Sequence, residues 1–322
     1  MNAAAEMPEW VQIADNQSRL AAGQALTEMA ARDHSIVVVS ADTVDLIGLR
    51  GFMEAYPDRL IEAGIAEQNA MGIASGLATT GLRPFVCGYA PFITARSMEQ
   101  LRNDVAYANQ RVVVAAGLAG ITLGVGGGTH HALEDLALMR SLPNMTVIVP
   151  ADAHQAWHVL QATDDLDGPT YVRLGGRTAE PPVTPVEGPF RVGQADTLRA
   201  GGDVTVIACG CMVAPALEAA TALAEDGIET RVVNMHTIKP LDADTILAAA
   251  AETKGIVTAE EHHLAGGLGG AVAELLAVRH PAPMRMVGMP DEFAIIGPTE
   301  LVREHHGMSS GDIIAACRSL LD

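Results

Sequence analysis

Short apolar runs alternate along the first half of the chain with longer stretches whose apolar residues have helical spacing. The runs are rich in β-branched residues and carry few polar ones, which is typical of strands buried on both faces of a parallel sheet. We predict such strands at Ser35–Ser40, Gly81–Cys87, Arg111–Ala116, Thr146–Pro150 and Gly168–Arg177. Helices are predicted over Trp10–Arg32, Ile65–Leu77 and Asp152–Ala162, with a further helix starting near Ala132.

A proline-rich segment, Glu180–Pro189, interrupts this alternation and is typical of a linker. Strands are predicted after it at Asp203–Ala208, Glu229–Met235, Gly255–Ala259 and Met284–Val287. The accompanying helices are predicted at Val213–Asp226, Asp242–Thr253, Gly269–Val278 and Ser310–Leu321. The pattern predicts an α/β protein of two doubly wound domains with mostly parallel sheets, the first over residues 1–185 and a smaller one over residues 186–322.

A carboxylate lies inside an apolar, glycine-rich stretch. Residues Arg59–Leu77 read RLIEAGIAEQNAMGIASGL, and the predicted Ile65–Leu77 helix has small residues along one side. Glu67 falls in this stretch, where a carboxylate must be paired, hydrogen-bonded or neutralised. It is either a functional acid or a capping or surface glutamate, and periodicity alone leaves both possibilities open.

Polar and aromatic residues follow the first two predicted strands at their carboxyl ends. Asp42 follows the first strand, and Tyr89 and Phe92 follow the second. Open α/β sheets bind ligands at this edge. The alternatives are a turn or cap role for Asp42 and core packing for the two aromatic rings.

A glycine-rich loop carries two adjacent histidines. Five of the residues from Gly120 to Gly128 are glycine, which permits backbone contact with a ligand. The loop has neither the P-loop nor the G-x-G-x-x-G pattern. His130 and His131 follow it, so we predict the pair at a helix N-terminus, where neutral histidine is favoured. A purely structural pair is the alternative.

Charge and composition exclude several classes of protein. The net charge of −19 argues against nucleic acid or an anionic membrane as a partner. The apolar runs are far shorter than the ~20 residues that a membrane span needs, and the N-terminus lacks the features of a secretory signal. The four cysteines lack metal-ligand spacing, so we expect free thiols in a cytoplasmic protein.

The hexapeptide GIAEQN, Gly64–Asn69, resembles the pyrimidine-domain motif of thiamine-diphosphate enzymes of the transketolase family. The resemblance implies that Glu67 hydrogen-bonds N1′ of the cofactor's aminopyrimidine and favours its imino tautomer. It also implies that Asp42 lies close to the cofactor, and that Tyr89 and Phe92 pack against the aminopyrimidine ring.

Further resemblances extend along the chain. The sequence GTHH resembles the family's G-x-T-H, which implies that His130 faces the reacting carbon of the substrate and that His131 lies beside it. Asn234–Pro240 and Glu260–Gly269 resemble the C-terminal domain of the family. This similarity explains the Glu-Glu-His-His run at 260–263 better than a metal site does, so we predict no metal ligands here.

Three positions depart from the family pattern. Leu118, Gly126 and Gly176 stand where transketolases have a His, an Asp and an Arg that contact the substrate. Arg173, within the predicted strand, and Arg177, one residue late, are the remaining candidates for a substrate phosphate. A shift of one residue reverses the direction of a side chain on a strand, although a Gly-Gly turn compensates for such a shift.

The sequence contains no G-D-G…N motif, with which the family holds Mg²⁺ and the diphosphate. The resemblance therefore implies a split enzyme, in which a companion subunit carries Mg²⁺ and the diphosphate site and the two subunits form an α2β2 assembly. On this interpretation the chain is the β-type subunit of a two-subunit transketolase that transfers a two-carbon ketol unit between sugars or sugar phosphates. The alternatives are a subunit like 1-deoxyxylulose-5-phosphate synthase or 2-oxo-acid dehydrogenase E1β, a non-catalytic scaffold subunit, and a plain doubly wound binding protein.

Overall fold

The computed structural model describes residues 16–184 and 190–321 of the chain. The first predicted helix is observed over Ser18–Arg32, so Asn16 and Gln17 were wrongly included in it, and residues 10–15 of the prediction lie outside the described residues. The predicted domain boundary at residues 185 and 186 also lies outside them and stays a prediction. No helix within the described ranges has both the length and the hydrophobicity that crossing a bilayer requires.

Strands and helices alternate along most of the described chain. The strands are β1 (Ile36–Ser40), β2 (Leu60–Glu62), β3 (Arg83–Tyr89), β4 (Val113–Gly117), β5 (Thr146–Ile148), β6 (Thr170–Arg173), β7 (Asp196–Arg199), β8 (Val204–Ala208), β9 (Thr230–Asn234), β10 (Thr237–Lys239), β11 (Ile256–His263) and β12 (Met284–Met289). The α-helices are α1 (Ser18–Arg32), α2 (Arg50–Ala55), α3 (Glu67–Thr79), α4 (Met98–Gln100), α5 (Asp135–Ser141), α6 (Ala153–Ala162), α7 (Val213–Glu225), α8 (Ala243–Glu252), α9 (Leu268–Arg279), α10 (Thr299–His305) and α11 (Ser310–Leu321).

The first sheet has seven strands in the order β10-β5-β6-β4-β3-β1-β2, and all its pairings except β10–β5 are parallel. Every residue of β1 and of β4 is buried, as the unbroken apolar runs predict. The helices α1 and α6 pack against each other. The strands predicted in the first half of the chain are confirmed. Two further strands of this sheet, β2 and β10, were not predicted because three residues are too few to carry a periodic pattern.

The second sheet has five strands in the order β12-β11-β8-β9-β7. Its pairings are parallel except for the edge pair of β7 with β9. The four strands and four helices predicted in this half are all observed, and β7 and α10 are added. The fold is therefore two α/β units with mostly parallel sheets, as the sequence predicts.

The two units share one sheet. β10 follows β9 in the second half of the chain, yet it pairs antiparallel with β5 of the first sheet. The side chain of Lys239, at the end of β10, donates hydrogen bonds to the carbonyl oxygens of Arg140 and Leu142 at the end of α5. The second unit therefore contacts the first through a strand as well as through packed surfaces.

The helices α3 and α5, which flank the candidate site residues, begin later than the sequence predicts. α3 begins at Glu67, so Ile65 precedes the helix and is 76% exposed. α5 begins at Asp135, with Glu134 as its N-cap. His130 consequently lies in a loop several residues before the helix and not at its N-terminus, because the glycine-rich segment continues as turns up to Glu134.

Candidate active site

The predicted site residues of the first unit gather at the carboxyl edge of its sheet. β1 and β4 flank β3, with Ser40 opposite Cys87 and Tyr89 opposite Gly117. The segments that leave these three strands therefore start side by side. They carry Asp42, Phe92 just beyond Tyr89 at the end of β3, and, after β4, the histidine loop, which we define as residues 120–133.

Tyr89, Phe92 and His130 form one aromatic cluster. The ring centroids of Phe92 and His130 are 5.3 Å apart, those of Tyr89 and Phe92 5.8 Å, and those of Tyr89 and His130 6.2 Å. Both contacts of the imidazole are edge-to-face, an arrangement that aromatic rings prefer. The segment after β3 and the histidine loop, which lie far apart in the sequence, are thus brought together.

Glu67 is joined to this cluster through Arg96. The carboxylate is buried, with 4% of the residue exposed, and its Oε2 accepts a hydrogen bond of 2.7 Å from Arg96 Nη1. The guanidinium carbon of Arg96 lies 4.4 Å from the centroid of the Phe92 ring, which is a cation–π contact. Oε1 of Glu67 accepts no hydrogen bond within the described part of the chain and is not enclosed.

Sequence reasoning did not identify Arg96. It ends a π-helical segment, Phe92–Arg96, and π-helical turns occur frequently at functional sites. The available signal was its spacing, because residues four apart on a helix lie on the same side and Arg96 follows Phe92 by four. The wider turn itself could not be anticipated from the sequence.

Asp42 lies at the same edge of the sheet but does not contact the aromatic cluster. Its backbone has a left-handed φ of 59°, and its N–H donates to Glu62 Oε1 over 2.7 Å. The neighbouring Thr43 donates a hydrogen bond from its hydroxyl to the carbonyl oxygen of Cys87, which ties the turn to β3. Asp42 therefore has a turn role that explains its conformation, and its side chain is exposed at the site edge.

The two histidines differ in environment. His130 is partly exposed, and its Nδ1 lies 3.0 Å from the hydroxyl of Thr129. His131 is buried, its Nε2 lies 3.3 Å from the carbonyl oxygen of Gly124, and burial lowers its pKa. His131 is therefore neutral at pH 7 and points into the protein, which differs from the expectation that it contacts substrate beside His130.

Arg173 also differs from expectation. Its side chain is only 5% exposed, and it forms an ion pair with the buried Asp135 in which Nε lies 2.7 Å from Oδ2. Nη2 donates to Asp135 Oδ1 and to the carbonyl oxygens of Ala132 and Glu261. Burial opposes the charged form, but the attraction of Asp135 outweighs it and raises the pKa of Arg173. Nε and Nη2 of the guanidinium are engaged by protein acceptors, so we do not expect Arg173 to bind a substrate phosphate in this arrangement.

The structure gives physical reasons for the three departures from the family pattern. A Cβ at Gly176 would lie 2.5 Å from the Cβ of Thr122, so no arginine fits there unless Thr122 moves. A Cβ at Gly126 would lie 3.0 Å from the Cβ of His130, which leaves little room for a side chain. Leu118 is fully buried in the core, where a histidine would be enclosed.

Arg177 is the remaining candidate for a substrate phosphate. It is exposed, and it makes no hydrogen bond or ion pair with residues 16–184 or 190–321. Burial is the main cause that lowers the pKa of the Arg19 guanidinium, and the nearby positive charge of Arg177 lowers it further. Arg19 Nε in turn donates to the carbonyl oxygen of Gly176 over 3.0 Å. Arg177 is thus available to an anion, but no contact joins it to the aromatic cluster.

Within the described structure, the side chains of residues 260–263 contact different groups. Glu260 accepts hydrogen bonds from the backbone N–H groups of Leu268 and Gly269, and burial raises its pKa to about 7. Glu261 pairs with Arg303, and His262 bonds to backbone atoms. These contacts give each of these residues a structural role.

Two family descriptions match most of the chain. The family description "Transketolase, pyrimidine binding domain" matches residues 15–179, and "Transketolase, C-terminal domain" matches residues 193–313. The chain is 40% identical to one of the subunits of the apulose-4-phosphate transketolase of Phocaeicola vulgatus, a match that covers 92% of this chain and 94% of that protein. It is 39% identical to the 6-deoxy-6-sulfo-D-fructose transketolase subunit SqwH of Clostridium sp. (strain MSTE9), over 92% of each chain.

A solved structure is similar over nearly the whole chain. It is described as a split gene transketolase, inactive beta4 tetramer, with a TM-score of 0.88 and 41% identity. The match covers 95% of this chain and 98% of that one. The predicted family, the two-domain α/β fold and the similarity to split transketolase subunits are confirmed, and the chain belongs to the transketolase family.

Proposed function

We propose that this chain is the β-type subunit of a two-subunit, thiamine-diphosphate-dependent transketolase. The observation that carries the proposal is the convergence of a buried carboxylate, Glu67, with the aromatic cluster at one sheet edge. A non-catalytic scaffold subunit has no need for this arrangement. The proposed catalytic residues are Glu67 and His130, since contacts through Arg96 and Phe92 connect the carboxylate to the imidazole.

The residues present fit the aminopyrimidine of thiamine diphosphate. Glu67 has one fixed carboxylate oxygen, bound to Arg96, and a second oxygen that is free to meet a ring nitrogen. Tyr89 and Phe92 offer apolar ring surface beside it, and Asp42 lies at the same edge. When bound, thiamine diphosphate supplies the carbon nucleophile of the transfer reaction.

The chain's own residues would act on protons and on orientation. Glu67 holds the proton at N1′ of the pyrimidine, and Arg96 keeps the carboxylate in one position. His130 faces the substrate as a hydrogen-bond donor or acceptor, with its ring oriented by Phe92 and Tyr89. Arg177 is the proposed contact for a substrate phosphate, whereas we leave Arg173 and His131 out because both are bound within the protein.

The companion subunit would supply Mg²⁺ and the diphosphate site, for which this sequence shows no G-D-G motif. Support comes from the relatives that are named as transketolase subunits, and from the relative that forms a tetramer of β chains and is described as inactive. Ile65, exposed just before Glu67, is an apolar contact that a companion would cover. An α2β2 assembly in the cytoplasm is the expected active form.

The assembly requirement predicts a large difference in cofactor binding. Alone, the chain should bind thiamine diphosphate weakly, and it should bind tightly in the presence of Mg²⁺ once mixed with the companion protein that carries the G-D-G motif. Calorimetric titration of the chain, the companion and their mixture measures this difference. Tight, Mg²⁺-dependent binding by the isolated chain would contradict the proposal.

The substrate prediction concerns Arg177. If it binds a substrate phosphate, then Arg177→Ala should lower kcat/KM for a phosphorylated sugar by roughly tenfold to a hundredfold, because a hydrogen bond to a charged group contributes about 1.5–3 kcal/mol. The value for the matched unphosphorylated sugar should not change. The control is Arg285→Ala, because Arg285 is an exposed arginine in the second unit. An equal loss for both sugars would remove Arg177 from phosphate recognition.

The enzyme alternatives differ in their donor substrate. A subunit of the 2-oxo-acid dehydrogenase E1β type would release CO₂ from a 2-oxo acid, and the reconstituted pair can be assayed for this directly. A transketolase would instead move a ketol unit from a ketose without releasing CO₂. The donor assay therefore separates these two proposals.

A further inference from the structure

The second unit binds both backbone polar groups of one residue in the histidine loop. The N–H of Ile121 donates to Glu261 Oε1 over 2.9 Å, and its carbonyl oxygen accepts from the hydroxyl of Thr299 over 3.2 Å. All three residues are buried. Glu261 also pairs through Oε2 with Arg303, so the carboxylate that holds the loop is itself fixed by α10.

Two glycines of the loop, Gly120 and Gly124, lie so close to the second unit that a side chain would not fit. A Cβ at Gly120 would lie 2.0 Å from Glu261 Oε1, and one at Gly124 would lie 2.4 Å from the carbonyl oxygen of Gly297. The backbone N–H of Gly297 donates to the carbonyl oxygen of Gly124 over 3.3 Å. At these positions the absence of a side chain lets the second unit approach, whereas the sequence pattern was interpreted as permitting approach by a ligand.

The end of β11 also holds the chain that follows the two histidines. The N–H of His263 donates to the carbonyl oxygen of Leu133 over 2.9 Å. His262 Nε2 accepts from the N–H of Ala137 in the first turn of α5 over 3.2 Å, while Nδ1 lies 2.7 Å from its neighbour's carbonyl oxygen. Burial lowers the pKa of His262 to about 4, so Nε2 keeps its lone pair at neutral pH.

His130 itself has few contacts of its own. Its imidazole contacts Thr129 and the rings of the aromatic cluster, and its backbone N–H bonds within the loop to Gly127. The rings of the cluster orient the imidazole, whereas the course of the loop sets the position of the His130 backbone. The second unit holds this loop on both sides of His130.

We propose that Glu261 and Thr299 of the second unit are positioning residues that hold the histidine loop, and through it His130, in the geometry required for ketol transfer. We call these two residues the loop anchors. The part of this proposal that concerns turnover rests on the proposed function, whereas the part that concerns the loop does not. It assigns to the second unit a role in orienting the active site, in addition to assembly.

The sharpest test is Thr299→Val, which removes one hydroxyl and changes the shape of the side chain little. Thr258→Val is the matched control, because the Thr258 hydroxyl is also buried in the second unit and has no hydrogen-bond partner within the described structure. Amide hydrogen exchange of the histidine loop should accelerate by roughly tenfold in Thr299→Val and stay unchanged in Thr258→Val. This measurement is made on the full chain and needs neither cofactor nor companion.

Glu261 gives a second, graded test. Glu261→Ala removes the acceptor of the Ile121 N–H, whereas Glu261→Gln keeps a carbonyl oxygen there and loses the charge that faces Arg303. Loop exchange should therefore be faster in the alanine variant than in the glutamine variant. In the reconstituted pair, kcat should fall roughly tenfold in Thr299→Val while KM for the sugar changes little, because small misplacements of an active-site group reduce the rate steeply.

The outcomes separate this proposal from the proposed function. Unchanged loop exchange in Thr299→Val and Glu261→Ala, or equal changes in Thr258→Val, would overturn the anchoring. Faster exchange with an unchanged kcat would overturn the claim that anchoring positions His130. A reconstituted pair that lacks transketolase activity altogether would reject the proposed function, while the exchange measurements would still decide whether the anchors hold the loop.

Discussion

Glu67→Gln should lower the turnover of the reconstituted enzyme by at least ~10²-fold, in line with general-acid contributions, and leave the fold intact. The amide is nearly isosteric with the carboxyl group and can still meet Arg96, but it cannot hold a transferable proton at N1′ of the pyrimidine. Exchange of the C2 proton of the bound cofactor should slow by a similar factor. The two measurements together connect the residue to the cofactor and not only to product formation.

The control for this variant is Glu225→Gln, the same chemical change at an exposed position of the second unit. It should leave turnover, C2 proton exchange and thermal stability unchanged. If Glu67→Gln slows turnover but not C2 proton exchange, then Glu67 does not act on the pyrimidine. If Glu67→Gln lowers the unfolding temperature strongly, the main role of Glu67 is its ion pair with Arg96.

Arg173→Met should lower the free energy of unfolding by about 3–5 kcal/mol, the cost of removing one partner from a buried ion pair. The methionine fills much of the volume, but the carboxylate of Asp135 loses its cation in a buried site. The backbone oxygens of Ala132 and Glu261 lose a donor as well. Denaturant unfolding of the isolated chain measures the effect without companion or cofactor.

Two comparisons strengthen this test. Arg177→Met, an exposed arginine four residues away, should change the free energy of unfolding by less than about 0.5 kcal/mol. The double variant Arg173→Met with Asp135→Leu should recover part of the lost stability, because it removes the unpaired charge. An Arg173→Met protein of unchanged stability that loses only phosphate affinity would restore Arg173 as a substrate ligand.

The fold could be predicted from the sequence where apolar runs are long. Every residue of β1, β4 and β8 is buried, and their mostly apolar sequences are typical of strands inside a parallel sheet. The three-residue strands β2 and β10 have no such pattern, and their existence depends on pairing with distant segments. The late start of α5 was missed because the turns after the glycines depend on contacts with the second unit.

The main residues of the candidate site could be predicted from the sequence, but the side chains that contact them could not. Glu67, Phe92 and His130 carry recognisable motifs, and the structure brings them to one edge of the sheet. Arg96 lies in no motif, and its contacts with Glu67 and Phe92 depend on a π-helical turn. The ion pair of Arg173 could not be predicted, because its partner, Asp135, is 38 residues away in the sequence and the pairing is not visible in any local pattern.

Because β10 of the second half pairs with β5 of the first sheet, cutting the chain at the predicted linker should not separate the two units. A protease that cuts near residue 185 would leave β10 paired with β5 and Lys239 bonded to the end of α5, so the two fragments should stay together and elute as one species. A fragment that ends at the linker would instead expose the edge of β5, and an unpaired sheet edge promotes aggregation. Attempts to exchange C-terminal domains between relatives should therefore transfer β10 together with a matching β5.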